Sequence, residues 1–89
     1  MARHIKLSGR ELGVMRAVGF GLGITGAEIE ERTRIESGEL VDILNSMLDL
    51  GYLETPDMKE RVSVEDFAAE TFEINPSYTN ELKAAMRFR

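Results

Sequence analysis

Few side chains in this sequence are equipped for chemistry, and their spacing removes most of those. His4 is the single histidine and cysteine is absent. With no thiolate and no acid at ligand spacing from His4, neither a tetrahedral metal site nor a disulfide framework can be assembled. A lone histidine near the chain start also has no serine and aspartate placed to complete a nucleophilic triad. The acid pairs Glu30–Glu31 and Glu65–Asp66 are adjacent in sequence. On a helix such neighbours do not face one another, so they are poor candidates for paired acid–base work. The stretch Gly21-Leu22-Gly23-Ile24-Thr25-Gly26 matches the dinucleotide fingerprint letter by letter. That loop functions only between a strand and a helix of a βαβ unit, whereas a capped helical segment precedes it here. The expectation is a protein that is not an enzyme and uses no cofactor or metal.

The elements that position the remaining polar groups announce themselves by their starts. Ser8-Gly9-Arg10-Glu11 and Thr25-Gly26-Ala27-Glu28 both have the form of a capping box, with Leu7/Leu12 and Ile24/Ile29 at the flanking staple positions. Leu12, Met15 and Val18, widened by Val14 and Ala17, repeat at helical spacing until Gly19, Gly21 and Gly23. The second helix is short, closing near Thr33 or Arg34, with Ile35 as the apolar residue of the turn. Ser37 is read as the cap of a third helix carrying Leu40, Ile43, Leu44, Met47 and Leu48 as a ridge, stopped by Gly51. Tyr52 to Thr55 and Thr71 to Ile74 have strand composition. About sixteen residues separate them, and residues 57–70 read equally as a helical turn, an extra strand or a loop. Asn75-Pro76 fits the start of a final helix with Tyr78, Leu82, Ala85 and Met86 along one face.

Eighty-nine residues, 43% apolar and 30% charged, suit one globular domain spanning 1–89. No apolar run approaches the roughly 18–20 residues of a membrane span, and no apolar segment follows the basic residues at the start. A cytoplasmic location is expected. The fold class expected is α+β, mainly α.

Residues Ile24 to Arg32, then Ile35, Leu40, Leu44, Leu48 and Leu50-Gly51-Tyr52-Leu53-Glu54, resemble the helix-turn-helix of winged-helix transcription regulators. The resemblance implies three N-terminal helices, a β-hairpin wing returning through Phe72-Glu73-Ile74-Asn75-Pro76, and a C-terminal helix. In DNA-binding members the third helix presents basic and amide side chains to the groove. Here its expected outward positions are Glu36, Ser37, Glu39, Val41, Asp42, Asn45, Ser46 and Asp49. From Glu36 to Glu54 there are five acids and no lysine or arginine. Three acids about 6 Å from phosphates would cost on the order of 2 kcal/mol in water, besides the phosphate contacts never made.

Charge is also unevenly distributed. The formal total is −5, yet both ends are basic and residues 36–82 hold twelve acids against Lys59 and Arg61. Two functional readings follow. In the first, the domain is a regulatory or adaptor module that meets a protein partner, or a second copy of itself, through Glu36, Glu39, Asp42, Asn45 and Asp49. Tyr78, Leu82 and Met86 are the candidate dimer face. In the second, the domain is a DNA-binding regulator that touches the phosphate backbone through Arg3, Lys6, Arg10, Arg32, Arg34, Lys59 and Arg61.

Overall fold

The computed structural model describes residues 5–88 of the chain. Both capping boxes form. The Ser8 hydroxyl accepts from the Glu11 amide at 3.3 Å, and the Glu11 carboxylate accepts from the Ser8 amide at 2.9 Å. They open α1 (Gly9–Val18), which buries Leu12, Val14, Met15 and Val18 and closes at Gly19. Thr25 and Glu28 repeat the reciprocal pair at 3.2 and 2.9 Å and open α2 (Gly26–Thr33). Arg34 closes α2 in the left-handed conformation, φ 60°, its amide donating to the Glu30 carbonyl.

The third helix, α3 (Ser37–Leu50), starts one residue earlier than its serine suggested. Glu36 is the cap, its carboxylate accepting from the Glu39 amide at 3.2 Å, and Ser37 is the first helical residue. A carboxylate reaches the exposed amide as well as a hydroxyl does and complements the helix dipole there. At the far end Gly51 is left-handed, φ 84°, and the amides of Gly51 and Tyr52 donate to Leu48 and Met47. Glycine is the natural occupant of such a closing turn.

Three short strands, one between α1 and α2 and two after α3, form one antiparallel sheet: β1 (Ile24–Thr25), β2 (Leu53–Glu54) and β3 (Thr71–Ile74), ordered β1-β3-β2. Ile24 pairs with Phe72, and Leu53 pairs with Ile74. The strand β1 was not expected from sequence. Thr25 is both its last residue and the cap of α2. Residues 57–70 contain no strand; they form turns and one short 3₁₀ segment, Phe67–Ala69. Phe67 is buried against α2, and a Cβ at Gly26 would collide with the Phe67 carbonyl, so only glycine allows this approach. Lys59 pairs with Glu70 at 3.2 Å across the base of that segment.

Asn75 joins both halves. Its amide nitrogen donates to the Gly51 carbonyl at 2.8 Å while its side-chain oxygen caps the turn Pro76–Tyr78. Helix α4 (Thr79–Phe88) continues from that turn and packs on α1, where Arg16 donates to the Met86 carbonyl at 3.0 Å. One core unites the layers, with Val14, Met15, Ile29, Leu40, Leu44, Phe72 and Leu82 completely enclosed. The fold is therefore α+β and mainly helical, with four helices and a three-stranded sheet. No helix among the described residues is long and apolar enough to cross a membrane.

Candidate functional site

The exposed surface of α3 is acidic, but it is narrower than its sequence implied. Two positions expected outside are inside. Val41 joins the core, and Asn45 is only 7% exposed. The Asn45 amide nitrogen donates to the Val62 carbonyl at 3.0 Å, and its oxygen accepts from the Val62 amide at 2.8 Å. This pairing ties the loop after β2 to α3 and turns both ends of the Asn45 side chain inward, away from a partner or a base edge. That placement corrects the reading of Asn45 as a contact residue.

The four carboxylates divide into two kinds. Glu36 is exposed, and the backbone amides of Gly38 and Glu39 hold its carboxyl below the usual carboxylate range. Glu39 is half-buried and pairs with Arg10 Nη1 at 2.6 Å. Both therefore have internal roles at the start of α3. Asp42 and Asp49 are exposed, form no ion pair among the described residues, and lie seven residues apart with exposed Ser46 between them. Spacings of three and four residues place all three on one helix face. With Arg61 they border a shallow hollow of about 320 Å³. The free acidic face is thus Asp42, Ser46 and Asp49, followed by half-exposed Leu50 at the end of the helix.

The candidate dimer face is mostly internal. Leu82 has no exposed surface, which corrects its reading as a contact residue. Tyr78 stands edge-on to Tyr52, ring centroids 5.2 Å apart, and Met86 leans on the core. An amphipathic helix has the same pattern whether its apolar stripe meets its own domain or a second copy, and here it meets its own domain.

The basic residues also sort by their partners. Arg10 is held by Glu39, Arg32 donates to the Ala17 carbonyl at 3.1 Å, and Lys59 is held by Glu70, whose hydrogen bond pushes the lysine pKa up. Lys6, Arg34 and Arg61 are exposed with no ion-pair partner among the described residues. Arg3 and His4 lie outside the described residues. Sequence reasoning missed one grouping. Arg10, Arg32 and Arg34, together with Gly9 and Gly13, border a single hollow of about 430 Å³ between α1 and the α2–α3 turn. The available signal was the four-residue spacing of Gly9 and Gly13 beside Arg10, which exposes one strip of α1 backbone. Among the described residues no cluster of three or more histidine, cysteine or acidic side chains could hold a metal.

The chain matches no protein-family profile, no curated protein and no solved structure. The site must therefore be read from its own geometry.

Proposed function

We propose that this chain is a winged-helix domain acting as a protein-interaction module, with the Asp42–Ser46–Asp49 face of α3 as its docking surface. Support for the architecture is the order of its parts. A threonine-capped second helix, a short turn and a third helix lead through Gly51 into a strand pair and a terminal helix. In such a domain α3 is the element offered to a partner.

The observation that carries the functional reading is the chemistry of that face. Asp42 and Asp49 stand on it without an ion pair among the described residues, and Asn45, the residue best suited to reading a base, is turned inward. A groove-facing helix gains most of its affinity from cations near phosphates, and α3 itself supplies none, Arg61 reaching the rim of its hollow from the loop after β2. The DNA-backbone reading also loses Arg10, Arg32 and Lys59 to internal partners. A complementary partner carries a lysine- or arginine-rich segment, with an apolar residue to meet Leu50.

The test is a titration with mixed-sequence DNA duplex at low salt, paired with a titration of a lysine- and arginine-containing peptide. The expected result is peptide binding that weakens with salt and perturbs Asp42, Ser46 and Asp49, with no duplex binding. Micromolar duplex affinity with a steep salt dependence would defeat the reading.

A further inference from the structure

We propose, resting on the reading of α3 as a docking element, that its partner is a second copy of this chain bound head to tail. The loop holding Phe20 and Leu22 of one copy seats in the acid-rimmed hollow between the end of α3 and β2 of the next. Leu22 is 97% exposed in the loop that joins α1 to β1, and Phe20, two residues before it, is exposed as well. Single exposed apolar side chains need no explanation, but here two share one loop and a cation stands over one of them. The Lys83 ammonium lies 5.4 Å from the centre of the Phe20 ring. Arg87, four residues further along α4 and so on the same helix face, is also exposed. Glu73 stands at the root of the loop, beside Gly23, and the positive charge gathers at Phe20 and along α4.

The complementary surface lies on the other edge of the sheet. The loop leads into β1, the hollow is bordered by β2, and β3 separates the two strands. Leu48, Leu53 and Met58 line a hollow of about 550 Å³, room for a leucine side chain and an aromatic ring together. Met58 is 70% exposed, and Leu50, between the lining residues Asp49 and Gly51, is exposed too. Asp49, Glu54 and Glu60 border the same hollow, and Lys59 on its rim is engaged by Glu70. An apolar loop flanked by cations thus matches an apolar hollow flanked by carboxylates. Such complementarity sets the register of a contact and speeds its formation.

The two surfaces are different and occupy opposite sheet edges, so the contact is heterologous. Each copy keeps one loop and one hollow free after pairing, and assembly continues into a ring or an open chain instead of stopping at a two-fold dimer.

The experiment is sedimentation velocity of the full chain at low salt from about 10 µM to 1 mM, the range suited to a small interface. The sedimentation coefficient should rise with concentration and fall back when salt is added. Leu22→Ser removes the loop's anchor, and Met58→Gly with Glu60→Lys spoils the hollow. Glycine suits the φ of 56° at Met58, and all three positions are exposed, so both variants should melt like the parent. Each should raise the concentration needed for association roughly tenfold or more. Mixed in equal amounts, they should form a discrete dimer that grows no further, one intact loop in one intact hollow. A parent that stays monomeric throughout overturns the proposal. So does a mixture no larger than its components, or a dimer that both variants leave unchanged. Basic-peptide binding by the Leu22→Ser variant, whose hollow and α3 face are intact, tells the failures apart: the docking reading of α3 stands if the peptide binds and falls if it does not.

Discussion

Asn45 and Val62 grip each other through two hydrogen bonds, the side-chain amide of one matching both backbone polar groups of the other at 3.0 and 2.8 Å. The pair is buried and links α3 to a segment that has no strand of its own. Removing the amide leaves a buried N–H and a buried C=O without partners, each costing roughly 1–3 kcal/mol. Asn45→Ala should therefore destabilise the domain by about 2–4 kcal/mol in denaturant unfolding. Asn45→Asp keeps the acceptor but replaces the donor with charge, and it should be no less damaging at neutral pH. A loss under 1 kcal/mol for the alanine variant would show that the loop is held elsewhere.

The parts of this fold that sequence revealed are those whose partners lie within one turn. Ser8 with Glu11, Thr25 with Glu28, and Gly51 with the end of α3 are local arrangements that a short window contains entirely. Strand β1 was invisible because two residues have no periodicity; Ile24 and Thr25 become a strand only when Phe72 and Thr71 arrive beside them. Asn45 was misplaced for the same reason, since its partner is seventeen residues away. The acidic face was legible in composition, but not its division. Nothing local to Glu39 announces Arg10, and nothing local to Leu82 says which apolar surface will cover it.

Glu54 and Glu73 are directly opposed across the β2–β3 pair, both half-buried. Like charges facing each other in a sheet are destabilising by an amount comparable to what opposite charges gain. Glu73→Lys turns that repulsion into attraction and should raise stability by roughly 0.5–1 kcal/mol at low salt. The gain should shrink in 1 M sodium chloride, where the Debye length is only about 3 Å. A variant that is neutral at both ionic strengths would mean the two carboxylates avoid each other by bending into solvent.

Acid should act through the caps. Backbone hydrogen bonding from Thr25 lowers the Glu28 pKa, that from Gly38 and Glu39 lowers Glu36, and that from Ser63 lowers Asp66. A carboxyl whose folded pKa lies below its unfolded value contributes stability in full above the unfolded value. That contribution is lost as pH falls through the folded one. The melting temperature should therefore hold between neutrality and the upper edge of the ordinary carboxylate range, roughly pH 4–5, and decline below it. Glu28→Gln keeps the capping geometry without the charge. It should melt lower than the parent at pH 7 and converge with it near pH 3, and parallel profiles would remove Glu28 from the acid response.

The strongest check on the acidic face is to reverse it. Asp42 and Asp49 are exposed and carry no internal partner among the described residues, so Asp42→Lys with Asp49→Lys should leave the fold intact. The change moves the formal charge from −5 to −1, four units from two substitutions. For a phosphate about 6 Å from each site, removing the acid alone recovers roughly 0.7 kcal/mol in water, and the lysine adds a similar attraction. Together that is on the order of 3 kcal/mol, more than a hundredfold in affinity. Two new phosphate contacts should also steepen the salt dependence of duplex binding by about two units of log–log slope. The same variant should lose the basic peptide that the parent binds. Duplex affinity that stays undetectable while peptide binding disappears would place charge recognition on this face yet deny it the shape of a groove-entering helix. Unchanged behaviour toward both ligands would take α3 out of the interaction altogether.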